Sequence, residues 1–336
     1  MRRQLVVFSM LGFIAAYCGT SIAATPRNDG PAAKYPTKSI RFVVGFPPGG
    51  GNDALARLVG PRLSKQLGVS VVIDNRPGAG GNIAAELVAK APADGYTILI
   101  ASSSHPIQGL LKPGLPYDPI KDFAGVAELV VYRSLLVVHP GLPVKTVNEF
   151  IALAKSKPGQ LNFASSGTGT GSHLGGELFK AAAGVDITHV SYKGGGPALI
   201  DMIAGRIESM FSPLVPVLPS LKVGRLRPIA VTSLNRSRLL PELPTIAESG
   251  LPGYEFVSWY GVMAPANTPR SVLLILNRTL NDIMSLPEMD ESARSEDMDI
   301  IRINPEKFDT VRHDMIPKWE KIIRQPGFEG KQNLGK

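Results

Sequence analysis

One local pattern recurs along this chain and constrains its fold more than any other. A short β-rich run ends in a loop of glycine, proline or serine, and a helix opens directly from that loop. Residues 40–46 run into Pro47-Pro48-Gly49-Gly50-Gly51, and Asn52-Asp53 then begins a stretch in which Leu55, Leu58, Val59, Leu63 and Leu67 recur at helical spacing. Residues 69–73 lead through Arg76-Pro77-Gly78-Ala79-Gly80-Gly81 to a helix expected over 83–90, and 96–101 end in Ser102-Ser103-Ser104. The pattern returns at 161–164, followed by the small-residue loop 165–172 and a helix over 173–183. It returns again at 187–192, followed by Lys193-Gly194-Gly195-Gly196 and a helix over 197–205 with Pro197 in its first turn. Strands are further expected at 207–211 and 227–232, and helices at 271–284 and 305–323. Alternation of strand and helix implies parallel strands joined by right-handed crossovers, an α/β fold. Two clusters of such units, separated by an extended stretch at 123–139 and followed by another at 254–265, imply two lobes. The chain is expected to cross out near Tyr132 and return near Trp259. That gives lobe 1 as 36–132 with 256–336, and lobe 2 as 133–255.

Loops at the carboxyl ends of parallel strands are where open α/β sheets take ligands. Each of these loops delivers backbone N–H groups at a helix N-terminus with little side chain in the way, a combination that binds anions. Sharper motifs fail. Gly49-Gly50-Gly51-Asn52-Asp53 lacks the Gly-Lys-Ser/Thr of a Walker loop, Gly167-Thr168-Gly169-Thr170-Gly171 does not meet G-x-G-x-x-G, and no serine sits in G-x-S-x-G. No nucleophile with a nearby base can be read, so an enzyme on this fold is the weakest reading and no catalytic residue is assigned. His105, His139, His173, His189 and His313 show no metal-ligand spacing, and no cofactor is expected. Asp53 reads first as a helix cap, with a ligand contact or a pairing with Arg76 as alternatives. His173 reads first as a local structural hydrogen bond, with ligand contact second. Lys193 beside Tyr192 reads equally as an anion contact or a solvated side chain, and Trp259 and Tyr260 read first as hinge and cleft, with the core second.

The amino terminus has Arg2 and Arg3, an apolar run from Leu5 to Ala16, and Ser21-Ile22-Ala23 before Ala24. This is the layout of a signal peptide over 1–23, with 24–35 as a linker. The apolar run is shorter than the ~20 residues of a membrane span, which weighs against an anchor. Tyr17 before Cys18 argues against lipid attachment, and Gln4-Leu5 matches twin-arginine export poorly. Cys18 is the sole cysteine, so removal of the signal removes disulfide and thiol chemistry together. The formal charge of +8 falls to +6 without Arg2 and Arg3, and the remaining Lys and Arg are scattered without aromatic interleaving. Nucleic acid is therefore not an expected partner, and a soluble monomer is expected.

The ordered motifs Phe46-Pro47-Pro48-Gly49-Gly50-x-x-Asp53, Asp74-Asn75-Arg76-Pro77-Gly78-Ala79-Gly80-Gly81-Asn82, Lys90-Ala91-Pro92-Ala93-Asp94-Gly95-Tyr96 and Leu115-Pro116-Tyr117-Asp118-Pro119 are joined by later ones. These are Leu161-Asn162-Phe163-Ala164-Ser165, His173-Leu174, Tyr192-Lys193-Gly194-Gly195, Ala230-Val231-Thr232-Ser233, Pro244-Thr245-Ile246-Ala247-Glu248 and Gly250-Leu251-Pro252-Gly253. With them the chain resembles the tripartite tricarboxylate transporter substrate-binding family, the Bug receptors, over essentially its whole length after the signal. The resemblance implies a type II periplasmic-binding-protein fold whose two α/β lobes close on a ligand between them. It implies a periplasmic location, a small carboxylate or related amide as ligand, and membrane permease subunits as partners; a sensing module without a permease is the alternative. Carried over residue by residue, one jaw holds Phe46, Gly49, Gly50, Asn52 and Asp53 with Ser102, Ser103 and Ser104. The other holds Ser166, Gly167, Thr168, Ser172 and His173 with Tyr192, Lys193 and Gly194. Two positions depart from the family pattern. Ser212 follows Met210-Phe211 where an aspartate is common, and Ser191 stands where a proline is common. An acid missing at 212 is expected to relax selection against a second carboxylate on the ligand.

Overall fold

The computed structural model describes residues 34–324 and Phe328. The expected signal peptide and most of the 24–35 linker lie outside the described residues. The elements run in the order β1 (Ile40–Val44), α1 (Gly51–Leu67), β2 (Val71–Asn75), α2 (Asn82–Ala89), β3 (Thr97–Ser102), α3 (Gln108–Leu111), β4 (Phe123–Val138), α4 (Val147–Ser156), β5 (Asn162–Ser165) and α5 (Gly171–Ala183). They continue with β6 (Thr188–Ser191), α6 (Gly195–Ile203), β7 (Ser209–Pro213), α7 (Leu214–Lys222), β8 (Arg227–Val231), β9 (Val257–Pro265), α8 (Arg270–Ile283), α9 (Pro287–Ser295), β10 (Met298–Ile300) and α10 (Pro305–Ile323). The sequence pattern did not place α3, α4, α7, α9 or β10. A capping box, Thr146 with Glu149, marked the start of α4, whereas Pro216 and Pro219 obscure α7. Helix α1 runs on through Pro61.

The strands follow the order β2-β1-β3-β9-β4-β7-β5-β6, with β10 and β8 also on β4. β1 is parallel to β2 and β3, and β5 is parallel to β6 and β7. β9 lies antiparallel between β3 and β4. β4 is the organising element. Its 16 residues reach roughly 50 Å, and it changes partners along its length. Phe123 to Arg133 pair with β9, and Ser134 to Val138 pair with β7. Each half of the sheet is covered on both faces, which is why its strands read as nearly unbroken apolar runs. In the first half Phe42 and Ile98 pack with Val59 and Leu276, while the alternating Val43 and Leu99 pack with Val88 and Phe308. In the second half Leu136 joins Phe163, Phe179 and Phe211, while Leu135 and Val137 join Met202 and Val217.

Two further links join the halves. Ile107 and Leu111 pack into the Phe163 and Phe179 core. Helix α10 starts with Phe308 against Trp259 on the first half, and ends with Trp319, Ile322 and Ile323 in the core of the second. Among the described residues no helix is long and apolar enough to cross a membrane.

Candidate ligand-binding site

A cleft of about 490 Å3 opens between the two halves of the sheet. Its floor is made by strand residues with the same two-residue period. Tyr132 and Ser134 come from β4, Met210 and Ser212 from β7, and Tyr260 from β9. Tyr132 and Tyr260 stack at 4.6 Å between ring centroids. Burial holds both phenols above their ordinary range, so they stay protonated. Alternation sends Trp259 the other way, against Phe308. Trp259 is thus a core residue of the first half, while Tyr260 lines the cleft as expected of a hinge position.

Two helix N-termini converge on this floor. A Cβ added at Gly51, the first residue of α1, would lie 2.3 Å from the Tyr260 hydroxyl. A Cβ at Gly171, the first residue of α5, would lie 3.1 Å from Ser258 Oγ and 3.8 Å from the Tyr132 hydroxyl. Glycine lets α1 start this close at Gly51, and at Gly171 a Cβ would press tightly on Ser258. Among the described residues neither helix has a side-chain cap, and Gly51, Asn52, Gly171 and Ser172 of their first turns line the cleft, where free N–H groups and the helix dipole favour an anion. Hydroxyls surround the convergence. Ser102 and Ser104 share a 2.9 Å hydrogen bond. Ser172 Oγ accepts the Ser166 N–H at 2.9 Å and lies 3.0 Å from Ser166 Oγ and 3.1 Å from Thr170 Oγ1. Asn52 is 6% exposed and lines the cleft, and its Nδ2 has no hydrogen-bond partner among the described residues.

The loop that delivers α1 is held from behind. Asn75 Nδ2 donates to Phe46 O at 3.1 Å and to Asp53 Oδ1 at 2.8 Å, and Asp53 Oδ2 accepts the Gly49 N–H at 2.9 Å. Gly49 has φ +91, which suits glycine at this turn. Arg57 Nε donates to both Asp53 oxygens at 3.0 and 2.9 Å. Burial pushes the Asp53 carboxyl up, but hydrogen bonds from Arg57, Gly49 and Asn75 outweigh it and hold the group below the ordinary carboxylate range. Asp53 is therefore neither the helix cap, which is Gly50, nor the partner of Arg76, which pairs with Asp74. The α5 loop is braced similarly. Gly169 N donates to His173 Nδ1 at 3.1 Å, and Gly169 O accepts Gln108 Nε2 at 3.1 Å from the other half of the molecule. Gln108 in turn accepts from Asn82, whose Oδ1 takes the Tyr117 hydroxyl at 2.5 Å.

The cleft wall thus gathers Phe46, Gly49, Gly50, Asn52, Ser102, Ser104, Ser166, Ser172, Lys193, Gly194 and Ser212 from the residues singled out in the sequence. Six others stand off the wall. Asp53 and His173 are buried braces. Ser103 is buried, with its N–H on Trp259 O. Gly167 supplies the carbonyl that accepts from Thr170. Thr168 bonds Ser191. The Tyr192 hydroxyl is turned to Asp201 at 2.7 Å. Tyr132, Ser134, Thr170, Leu199, Met210, Pro213 and Pro216 line the cleft without having been singled out. The two-residue period from Ser212 and the prolines that follow it are the sequence signals for Met210, Pro213 and Pro216.

Residues 55–328 match the model of the tripartite tricarboxylate transporter family receptor. The chain belongs to that family. Protein BugT of Bordetella pertussis is 34% identical over 320 residues, 95% of this chain and 97% of BugT. Among solved structures, Rpa4515 of R. palustris with adipate is 40% identical with a TM-score of 0.81, covering 86% of this chain and 97% of that one. MatC from Rhodopseudomonas palustris with bound malate is 31% identical with a TM-score of 0.77, covering 86% and 100%. The periplasmic binding protein BugD is 30% identical with a TM-score of 0.80, covering 88% and 99%. The fold is accordingly the two-lobed α/β fold of periplasmic binding proteins. Within this Bug-type receptor the two departures from the family pattern have local consequences. Ser191 Oγ accepts the Thr168 N–H at 3.0 Å, a tie that proline could not make. Ser212 lines the cleft, and its hydroxyl donates to Pro213 O at 3.0 Å.

Proposed function

We propose that this protein is a periplasmic solute-binding protein that captures a small carboxylate-type ligand by closure of its two lobes and delivers it to a tripartite tricarboxylate-type membrane transporter. In this reading lobe 1 is 36–132 with 256–336 and lobe 2 is 133–255, with the far end of α10 carried against lobe 2. The supporting observation is the convergence of the α1 and α5 N-termini on the Tyr132 and Tyr260 floor, lined also by serine hydroxyls and by Asn52, whose Nδ2 lacks a partner among the described residues. Each helix end carries about +0.5 of an elementary charge, so two together balance one carboxylate without an arginine. The residues assigned to the ligand are the eleven wall residues singled out from the sequence together with Tyr132, Ser134, Thr170 and Tyr260. Asp53, Gln108 and His173 act as braces, and the site binds without performing chemistry. The permease and the periplasmic location rest on family membership. A thermal-shift screen of mono-, di- and tricarboxylates against their amides tests the reading. A ligand at 100 times its Kd stabilises by about 2.7 kcal/mol, a rise of roughly 4 °C for a chain of this size. No shift with any acid or amide would overturn it.

A further inference from the structure

The cleft lining is not uniformly polar, and its apolar part names a ligand class more closely. Leu199, Met210, Pro213 and Pro216 of one lobe and Phe46 and Pro47 of the other line the same cleft as the hydroxyls. Helices α6 and α7, which carry Leu199 and Pro216, are poorly equipped as anion sites. The first turn of α6 is Gly195, Gly196 and Pro197, and that of α7 is Leu214, Val215 and Pro216. Proline has no N–H, so each start has lost one of the donors that α1 keeps in Gly51, Asn52 and Asp53 and α5 keeps in Gly171, Ser172 and His173. Ser212 Oγ, the hydroxyl nearest these prolines in sequence, is directed at Pro213 O. Lys193 is the one residue of formal charge on the wall, and it is exposed. The serine at 212 removes the repulsion an aspartate would exert, and the attraction that exposed Lys193 offers a second carboxylate is weakened by solvent screening. A charge placed among the apolar side chains would lose its water without gaining partners.

We infer that the ligand of this cleft is a monocarboxylate with an apolar body, its carboxylate at the α1 and α5 N-termini and its alkyl or aryl tail along Leu199, Met210, Pro213 and Pro216. The inference rests on the carboxylate-receptor reading above. Isothermal titration with acetate, butanoate, hexanoate, benzoate and adipate tests it. Expected are a Kd that falls about threefold to fourfold per added methylene from acetate to hexanoate, and hexanoate bound at least tenfold tighter than adipate. Leu199→Ala, a change on a half-buried helix position, should lower the ratio of hexanoate to acetate affinity by threefold or more. Adipate bound as tightly as hexanoate, or affinity independent of tail length, would overturn the inference while leaving the receptor reading intact. Absence of binding by all five acids would strike the receptor reading itself.

Discussion

Asp53 separates a brace from a ligand contact, and Asp53→Asn measures the difference. In the wild type the carboxylate accepts the Gly49 N–H, Asn75 Nδ2 and Arg57 Nε. The amide keeps one acceptor oxygen and turns an NH2 toward donors, so two of these partners are lost or weakened. Hydrogen bonds to a charged group contribute roughly 1.5–3 kcal/mol each. Arg57 is 53% exposed, so solvent screening reduces its share to about 1 kcal/mol or less. The expected loss is about 2–3 kcal/mol at neutral pH, read from urea unfolding. The sign with pH follows from the depressed carboxyl. Its stabilisation is fully present above the unfolded value of about 3.9 and drains away as pH falls through the lower folded value. The gap between wild type and Asp53→Asn should therefore close in strong acid. Ligand affinity should fall by roughly tenfold, through the displaced 46–53 loop, and Arg57→Gln should reproduce part of both losses. Asp53→Asn with undiminished stability and abolished binding would refute the bracing role and make Asp53 a direct ligand contact.

Other consequences are as specific. Burial pushes the Glu128 carboxyl up to about 7, so stability should fall as pH rises from the ordinary 4.5 through 7. Glu128→Gln should then stabilise by at most roughly 3 kcal/mol at pH 8 and by little at pH 4.5; an equal effect at both pH values in urea titrations would contradict this. Gly51→Ala drives a methyl to 2.3 Å from the buried Tyr260 hydroxyl and should cost about 1–3 kcal/mol. Gly50→Ala meets nothing closer than Pro47 O at 3.8 Å and should stay within about 0.5 kcal/mol in the same unfolding assay. Gln108→Ala cuts the bond to Gly169 O that ties the two lobes together, and should lower stability by about 1–3 kcal/mol and enlarge the radius of gyration of the ligand-free protein in solution scattering.

What could be read from the sequence was local. The loops after β1, β3, β5 and β6 announce themselves through glycine, proline and serine at strand ends, because backbone geometry demands those residues within a few positions. The converging helix starts at Gly51 and Gly171 follow from the same short motifs. What escaped was decided by long-range pairing. Asp53 meets Arg57 and Asn75 rather than Arg76, because β1 and β2 pair Val43 with Asp74 and Asp74 takes Arg41 and Arg76 for itself. Leu199, Pro213 and Pro216 share a cleft with Phe46 only because β4 carries the two halves of the sheet end to end. Gln108 reaches Gly169 across 61 residues, a contact no motif encodes. Tyr192 and His173 sit in recognisable motifs, yet the strand face and helix turn they occupy direct them away from the cleft.

The most direct measurement is a crystal structure of the complex with a bound carboxylic acid such as hexanoate or adipate. The expected result is a carboxylate seated over the Tyr132 and Tyr260 floor, its oxygens about 2.7–3.2 Å from N–H groups in the first turns of α1 and α5. A carboxylate bound instead at Lys193, with those two helix starts left to solvent, would contradict it.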